Sequence, residues 1–372
     1  MRFIFLFSSP NGDIPVDQQH RTRPLILNPG ETHPCLTLGD YFKTLAAFIQ
    51  QNLDIILSEL KPSLAMADIQ TIFLRTEKHG ALYHIASAEI VSPSTREKFA
   101  ISSAITAQGK ETLIRDTAVL ESLGETHGPS FIPRIYCKGS LDCGSQQQTE
   151  ILNLVASEWF EDYHEWHLTA DGEAIKIWDN TKGNRIATEG EQTEIFRQVA
   201  LILTVYYDFN TGKQIHPWHH AAGDFIIRDN NGTTAVKLTT ARDYRQIIEL
   251  ENDSPHFPLL SLLIFFLHLT VRTRLDKVEG TDQAVWAGNF SVTATLRGFI
   301  EGIRMHESLR RSLPYSSQEI IGILQSYTAS DFSAIIQPLM DVYLAENPRE
   351  HQFISRHLEN HLAEVCGEIA RL

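Results

Sequence analysis

The sequence predicts an α+β fold, mainly antiparallel in its first half and mainly helical in its second. Three observations predict it. Between residues 69 and 160, β-rich runs follow one another with a single helical stretch among them. After Gly190, apolar residues recur at helical spacing almost to the end of the chain. A lone β-hairpin interrupts that helical half at 224–238, marked by an Asn-Gly dipeptide between apolar runs.

Taken in order, the first 37 residues are rich in Pro, Asn, Gly and Thr and show no sustained period, which predicts an irregular arm. The apolar run Phe3 to Phe7 stops at Ser8, too short for a signal-peptide core. From Leu38, the positions Tyr41, Leu45, Phe48, Ile49, Leu53 and Ile56 predict a helix that ends before Pro62. Strands are predicted at 69–76, 81–91 and 98–105, a helix at 110–123 with Gly124 as its stop, and strands at 132–137 and 150–159. The second half predicts helices at 194–209, 259–275, 290–305, 317–327, 331–346 and 351–372. The organisation is therefore an arm and helix over 1–64, a strand-rich lobe over 65–160, and a helical lobe over 161–372 with its hairpin at 224–238.

Composition narrows the function classes. With 42% apolar and 21% charged residues in 372, the chain has the material for a sizeable core. Its net charge of −14 argues against binding nucleic acid or an anionic membrane over a broad surface. Sixteen histidines make that charge strongly acid-sensitive. The greasiest stretch, 259–271, carries His268 and is too short for a membrane span. Arg272 and Arg274 follow it; they fit an anion contact, but read first as a solvated helix end whose dipole favours cations. Four cysteines make no disulfide framework; Cys137 and Cys143 are close enough in sequence to face each other across a hairpin, and all four read as ordinary thiols in a reducing cytoplasm. No sustained heptad seam speaks to oligomeric state.

Three stretches carry a family resemblance. Phe99-Ala100-Ile101-Ser102 resembles a third strand ending in Ala-x-Lys. Leu154-Val155-Ala156-Ser157-Glu158-Trp159-Phe160 resembles a hinge that receives adenine on its backbone. His216-Pro217-Trp218-His219-His220-Ala221-Ala222-Gly223-Asp224-Phe225 resembles a catalytic loop leading into a hairpin. In this order and spacing the chain resembles the protein-kinase-like fold in the version of aminoglycoside phosphotransferases and choline kinases. The resemblance implies a bilobal fold with ligands between the lobes, ATP with magnesium as cofactors, and a small-molecule phosphotransferase as the activity. The helix after Leu38 is extra to it.

The departures fall on the chemistry. Phosphotransfer needs a Lys on the nucleotide phosphates, a carboxylate at the substrate hydroxyl, and Asn and Asp ligands for the metal ions. By the resemblance the Lys position falls on Ser102, with Lys98 too early, and Asp116 takes the helix carboxylate that would pair with it. Glu158, Trp159 and Phe160 stand at the hinge as cofactor-binding residues, Asp224 at a metal ligand, and His219 at the catalytic Asp. The second metal position falls on Thr239 or Thr240, with Asp243 too late. Gly80 alone stands where a glycine-rich loop belongs. A shifted register is also compatible, in which Ala222-Gly223-Asp224 mimics His-Gly-Asp and moves the metal position to Asp229.

His216, His219 and His220 cluster within five residues, and His164 and His167 form a second pair. Three roles fit: a structural cluster bonded to nearby backbone, a transition-metal site, or a base at His219 or His220 where the Asp is missing. Trp159 and Trp166 read as core or as pocket lining. Two functions follow from the resemblance. One is a pseudokinase-like protein that binds a nucleotide, another small ligand or a partner protein. The other is an active phosphotransferase with an atypical His and Asp site.

Overall fold

The computed structural model describes the chain except residues 10–11, 29, 61–64, 81, 127–130, 146–147, 180–181, 221–222, 231, 251–253, 255, 279–280 and 310–312. Pro62, Asn231 and Ala221-Ala222, which bear on the expected helix stop, hairpin turn and loop, lie outside the described residues. The chain is mixed α and β and divides into two compact units, Met1–Glu161 with Asn180–Lys182, and Asp162–Asp179 with Gly183–Leu372.

The first unit begins with β1 (Arg2–Phe7), β2 (Ile14–Pro15), α1 (Gln18–Arg21), β3 (Pro24–Asn28), β4 (Glu31–Thr37) and α2 (Leu38–Glu59). It continues with β5 (Thr71–His79), β6 (His84–Val91), β7 (Arg96–Ala104), α3 (Ala107–Thr126), β8 (Ile135–Ser145) and β9 (Gln148–Glu158). The main sheet runs β2-β1-β5-β6-β7-β9-β8. Its described pairs are antiparallel except β1 with β5, which is parallel in the register Phe3↔Ile72, Phe5↔Leu74.

The expected irregular arm is thus corrected. Phe3, Phe5 and Phe7 alternate along β1 and pack on the core, and Phe5 stacks on Phe42 of α2 at 4.8 Å. The short apolar run that fails as a signal core is a strand. Helix α2 starts where Thr37 caps it, taking the Asp40 N–H while the Asp40 carboxylate takes the Thr37 N–H. Tyr41, Phe42, Leu45, Phe48, Ile49, Leu53 and Ile56 then bury one stripe against Ile72, Leu74, Ala88, Phe99, Ile101 and Ala156 of the sheet. Leu113 of α3 packs with Ala104 and Val155. Helix α3 runs through Gly124 to Thr126, past the expected stop. Cys137 and Cys143 do not face each other: both lie on β8, opposite Ala156 and Glu150, and the four cysteines are free thiols.

The second unit carries β10 (Glu165–Leu168), β11 (Ile175–Trp178) and β12 (Arg185–Ile186) in one small sheet, then α4 (Glu189–Val205) and β13 (Gln214–Ile215). The expected hairpin is present as β14 (Phe225–Asn230) with β15 (Thr233–Leu238). Next come β16 (Tyr244–Arg245), α5 (Phe257–Arg274), β17 (Leu275–Lys277), β18 (Ala284–Trp286) and α6 (Phe290–Ser308). The chain closes with α7 (Ser317–Ser326), α8 (Ala329–Ile335), α9 (Gln337–Glu346) and α10 (Pro348–Ile369). The helix expected over 331–346 is two helices, since Pro338, the second residue of α9, has no N–H for a continuous ladder.

Among the described residues α5 is the helix long and apolar enough to cross a membrane, and 83% of that stretch is buried inside the fold. Its two arginines are not at a solvated end, which corrects the expectation for them: Arg272 is 6% and Arg274 3% exposed. Each is held by carboxylates of α10, Arg272 by Glu350 at 3.0 Å and Arg274 by Glu364 at 2.5 Å. Buried guanidinium demands such partners.

Candidate functional site

Each unit holds part of the residue set singled out in the sequence. In the first unit, alternation along β7 puts Phe99 and Ile101 into the core under α2 and Lys98, Ala100 and Ser102 on the other face. Ser102 lies opposite Ile85 and Val155, with a neutral hydroxyl where the resemblance asks for an ammonium. The nearest substitute in sequence is engaged. Lys98 Nζ lies 3.3 Å from Glu77, which accepts a hydrogen bond from Ser87 Oγ, and sits 3.9 Å over the Trp159 ring. Asp116 is buried on α3 and accepts a hydrogen bond from the Tyr83 hydroxyl at 3.1 Å. Glu158 accepts from the Arg134 N–H at 3.3 Å; Trp159 and Phe160 follow β9, half-buried.

In the second unit the sequence's loop and hairpin meet at Asp224. This residue stands just before β14, and its backbone carbonyl accepts the Thr239 N–H at 2.7 Å, closing the open end of the hairpin. Gly223 before it has φ +70°, and a Cβ there would fall 2.6 Å from the Glu165 carboxylate, so a side chain at this turn is strained and must shift Glu165. The Asp224 carboxylate is 1% exposed. It accepts the His219 backbone N–H at 2.8 Å and both terminal nitrogens of Arg242, at 2.6 and 2.5 Å. That is a two-pronged guanidinium pair with a third donor on the same carboxylate.

The histidines are built into the same network. Arg272 donates to His219 Nδ1 at 2.7 Å, which fixes that nitrogen as the lone-pair side of a neutral ring. Burial, then the Arg272 and Arg242 charges, push His219 well below the usual imidazole range. His220 donates from Nε2 to the Thr273 carbonyl at 3.0 Å and is packed among Trp166, Trp218, Phe196 and Phe225. Burial lowers it to about 3. His216 bonds Glu346 at 2.9 Å, and burial outweighs that carboxylate, so it too is lowered. His164 lies 3.6 Å from Asp179, and its backbone bridges Ile227 of the hairpin. His167 is buried against Trp178.

Thr239 and Thr240, where the resemblance puts the second metal position, carry no carboxylate; Asp243 turns to its neighbours, Tyr244 N–H at 2.8 Å and Arg245 at 3.3 Å. Among the described residues no group of three or more His, Cys, Asp or Glu side chains is placed to hold a metal ion. Asp224, the remaining candidate ligand, already carries a cation in Arg242. The structure thus brings His219 and Asp224 together, with His220 one residue away, facing Arg272 and Arg242. Sequence reasoning missed Arg242 altogether. The signal for Arg272 was its place at the end of the most apolar stretch, where a charge needs a buried partner.

The sequence matches no family model and no curated protein.

Proposed function

We propose that this chain is a kinase-like protein that has lost phosphotransfer and that binds a nucleotide or other small ligand, or a partner protein. The observation that carries the reading is the Asp224–Arg242 pair. A carboxylate meant for a metal ion is instead satisfied by a guanidinium of the same chain. The element order β5-β6-β7-α3-β8-β9, then α4 and the β14–β15 hairpin, supports the kinase-like part. Ser102 in place of an ammonium and Asp116 bonded to Tyr83 support the loss.

Magnitude supports it as well. Single donors to a developing charge are worth roughly 3 kcal/mol, so losing the Lys and the metal ions together removes most of the acceleration. A ligand held by backbone groups of the Leu154 to Phe160 segment needs none of them. The test is a thermal-shift series with ATP in EDTA, magnesium or manganese, followed by ATPase assays on the wild type and Asp224→Asn. The reading expects any ATP stabilisation to be indifferent to divalent metal, with no turnover. Metal-dependent stabilisation with turnover abolished by Asp224→Asn overturns it in favour of an atypical phosphotransferase. Absence of a shift with any nucleotide removes the nucleotide from the proposal and sends the search to other small ligands and partner proteins.

A further inference from the structure

A cavity of about 290 Å³ in the second unit lies between the β17–β18 hairpin and the first turns of α10. The geometry points to a binding site there for a small phosphate monoester. Three cations line it: Lys277 from β17, and Arg349 and Arg356 from α10. The two arginines are seven residues apart, two turns along one helix face, and Phe353 lies between them in sequence as a half-buried apolar wall.

Among the described lining residues the charges do not cancel. Glu350 lines the cavity, but its carboxylate is shared by the buried Arg272 at 3.0 Å and by Lys277 at 3.5 Å. Asp282 is 84% exposed and 4.0 Å from Lys277, a contact that water screens. Arg349 and Arg356 have no ion pair and no side-chain hydrogen bond among the described residues. In a chain of net charge −14, two guanidiniums on one concave surface with no carboxylate partner among the described residues stand out.

The helix terminus does not supply the attraction, because Asn347 Oδ1 already takes the Arg349 and Glu350 N–H groups. The side chains do. Guanidinium forks pair bidentately with phosphate oxygens, three lining cations favour a dianion over a singly charged carboxylate, and Phe353 offers a surface for an ester group. The volume is at the small end for ligand sites, which limits the occupant to a small molecule.

Phenyl phosphate is the probe, titrated calorimetrically into the full chain at constant ionic strength. We expect saturable binding that weakens at least tenfold in the double variant Arg349→Gln/Arg356→Gln. A control, Arg96→Gln/Arg371→Gln, removes the same charge elsewhere and is expected to bind as the wild type does. Thermal melts of both variants check that they are folded; the substituted arginines are exposed. The inference is overturned if no saturable binding occurs, if both double variants weaken equally, or if benzoate binds as tightly as phenyl phosphate. None of these outcomes depends on the nucleotide reading above.

Discussion

Replacing Arg242 with Gln isolates the pair on which the functional reading rests. Asp224 is 1% exposed and receives three donors, two of them from this guanidinium. The glutamine keeps much of the stem and one donor but removes the charge. Stripping one partner from a buried ion pair costs about 3–5 kcal/mol, and because Arg242 is itself 18% exposed the lower end applies. For a unit of this size a loss of about 3 kcal/mol lowers the melting temperature by roughly 6–12 °C. Urea melts followed by tryptophan fluorescence measure it directly, since Trp218 is buried and packs on Phe225 beside Asp224. The double variant Asp224→Asn/Arg242→Gln removes both charges and is expected to recover to within about 1–2 kcal/mol of wild type. A single variant within about 1 kcal/mol of wild type, or a double variant as unstable as the single, refutes the argument that this pair is a closed electrostatic unit.

Acid should destabilise the second unit early. His220 and His361 are held neutral by burial down to about 3, against 6.5 unfolded, so the unfolded chain takes up protons first and stability falls as pH drops through that interval. Each costs about 2 kcal/mol by pH 5, with His216, His219 and His268 pushed the same way. A urea midpoint that is flat from pH 7 to pH 5 contradicts this. Two helix glycines should respond with opposite signs. At Gly298 of α6 a Cβ would stand 2.0 Å from the Arg197 carbonyl of α4, so Gly298→Ala loses about 1–3 kcal/mol to overpacking despite a propensity gain of about 1. At Gly322 of α7 nothing stands within 4 Å, and Gly322→Ala should gain about 1 kcal/mol; equal shifts in the two melts defeat the packing argument.

Periodic elements were legible because burial acts on them alone. The stripe Tyr41 to Ile56 specified α2, and the Asn-Gly dipeptide specified the β14–β15 hairpin, without help from distant residues. The first residues were not, because β1 shows its pattern only against its partners. Phe3, Phe5 and Phe7 alternate with Ile4 and Leu6, so the sequence offers a uniform apolar run, and only pairing with β5 and stacking on Phe42 give the run two distinct faces. Pro338 was visible, yet a helical period on both sides hid the break it makes between α8 and α9.

The candidate site divides along the same line. Residue types at a position are local, and Ser102, Thr239 and His219 by themselves depart from the charged residues that the resemblance asks for. What replaces those charges is not local. Arg242 lies 18 residues after Asp224, beyond a whole hairpin, and Glu350 lies 78 residues after Arg272 on another helix. A lone sequence shows that a buried Asp or Arg must be neutralised, but the partner is set by the packing of elements. The consequence is specific for Asp224. By the resemblance its position is that of a metal ligand, whereas with Arg242 in contact it is one half of an internal salt pair. A metal ion could claim this buried carboxylate only by displacing a guanidinium bonded through two nitrogens, at the cost of leaving that guanidinium without its partner.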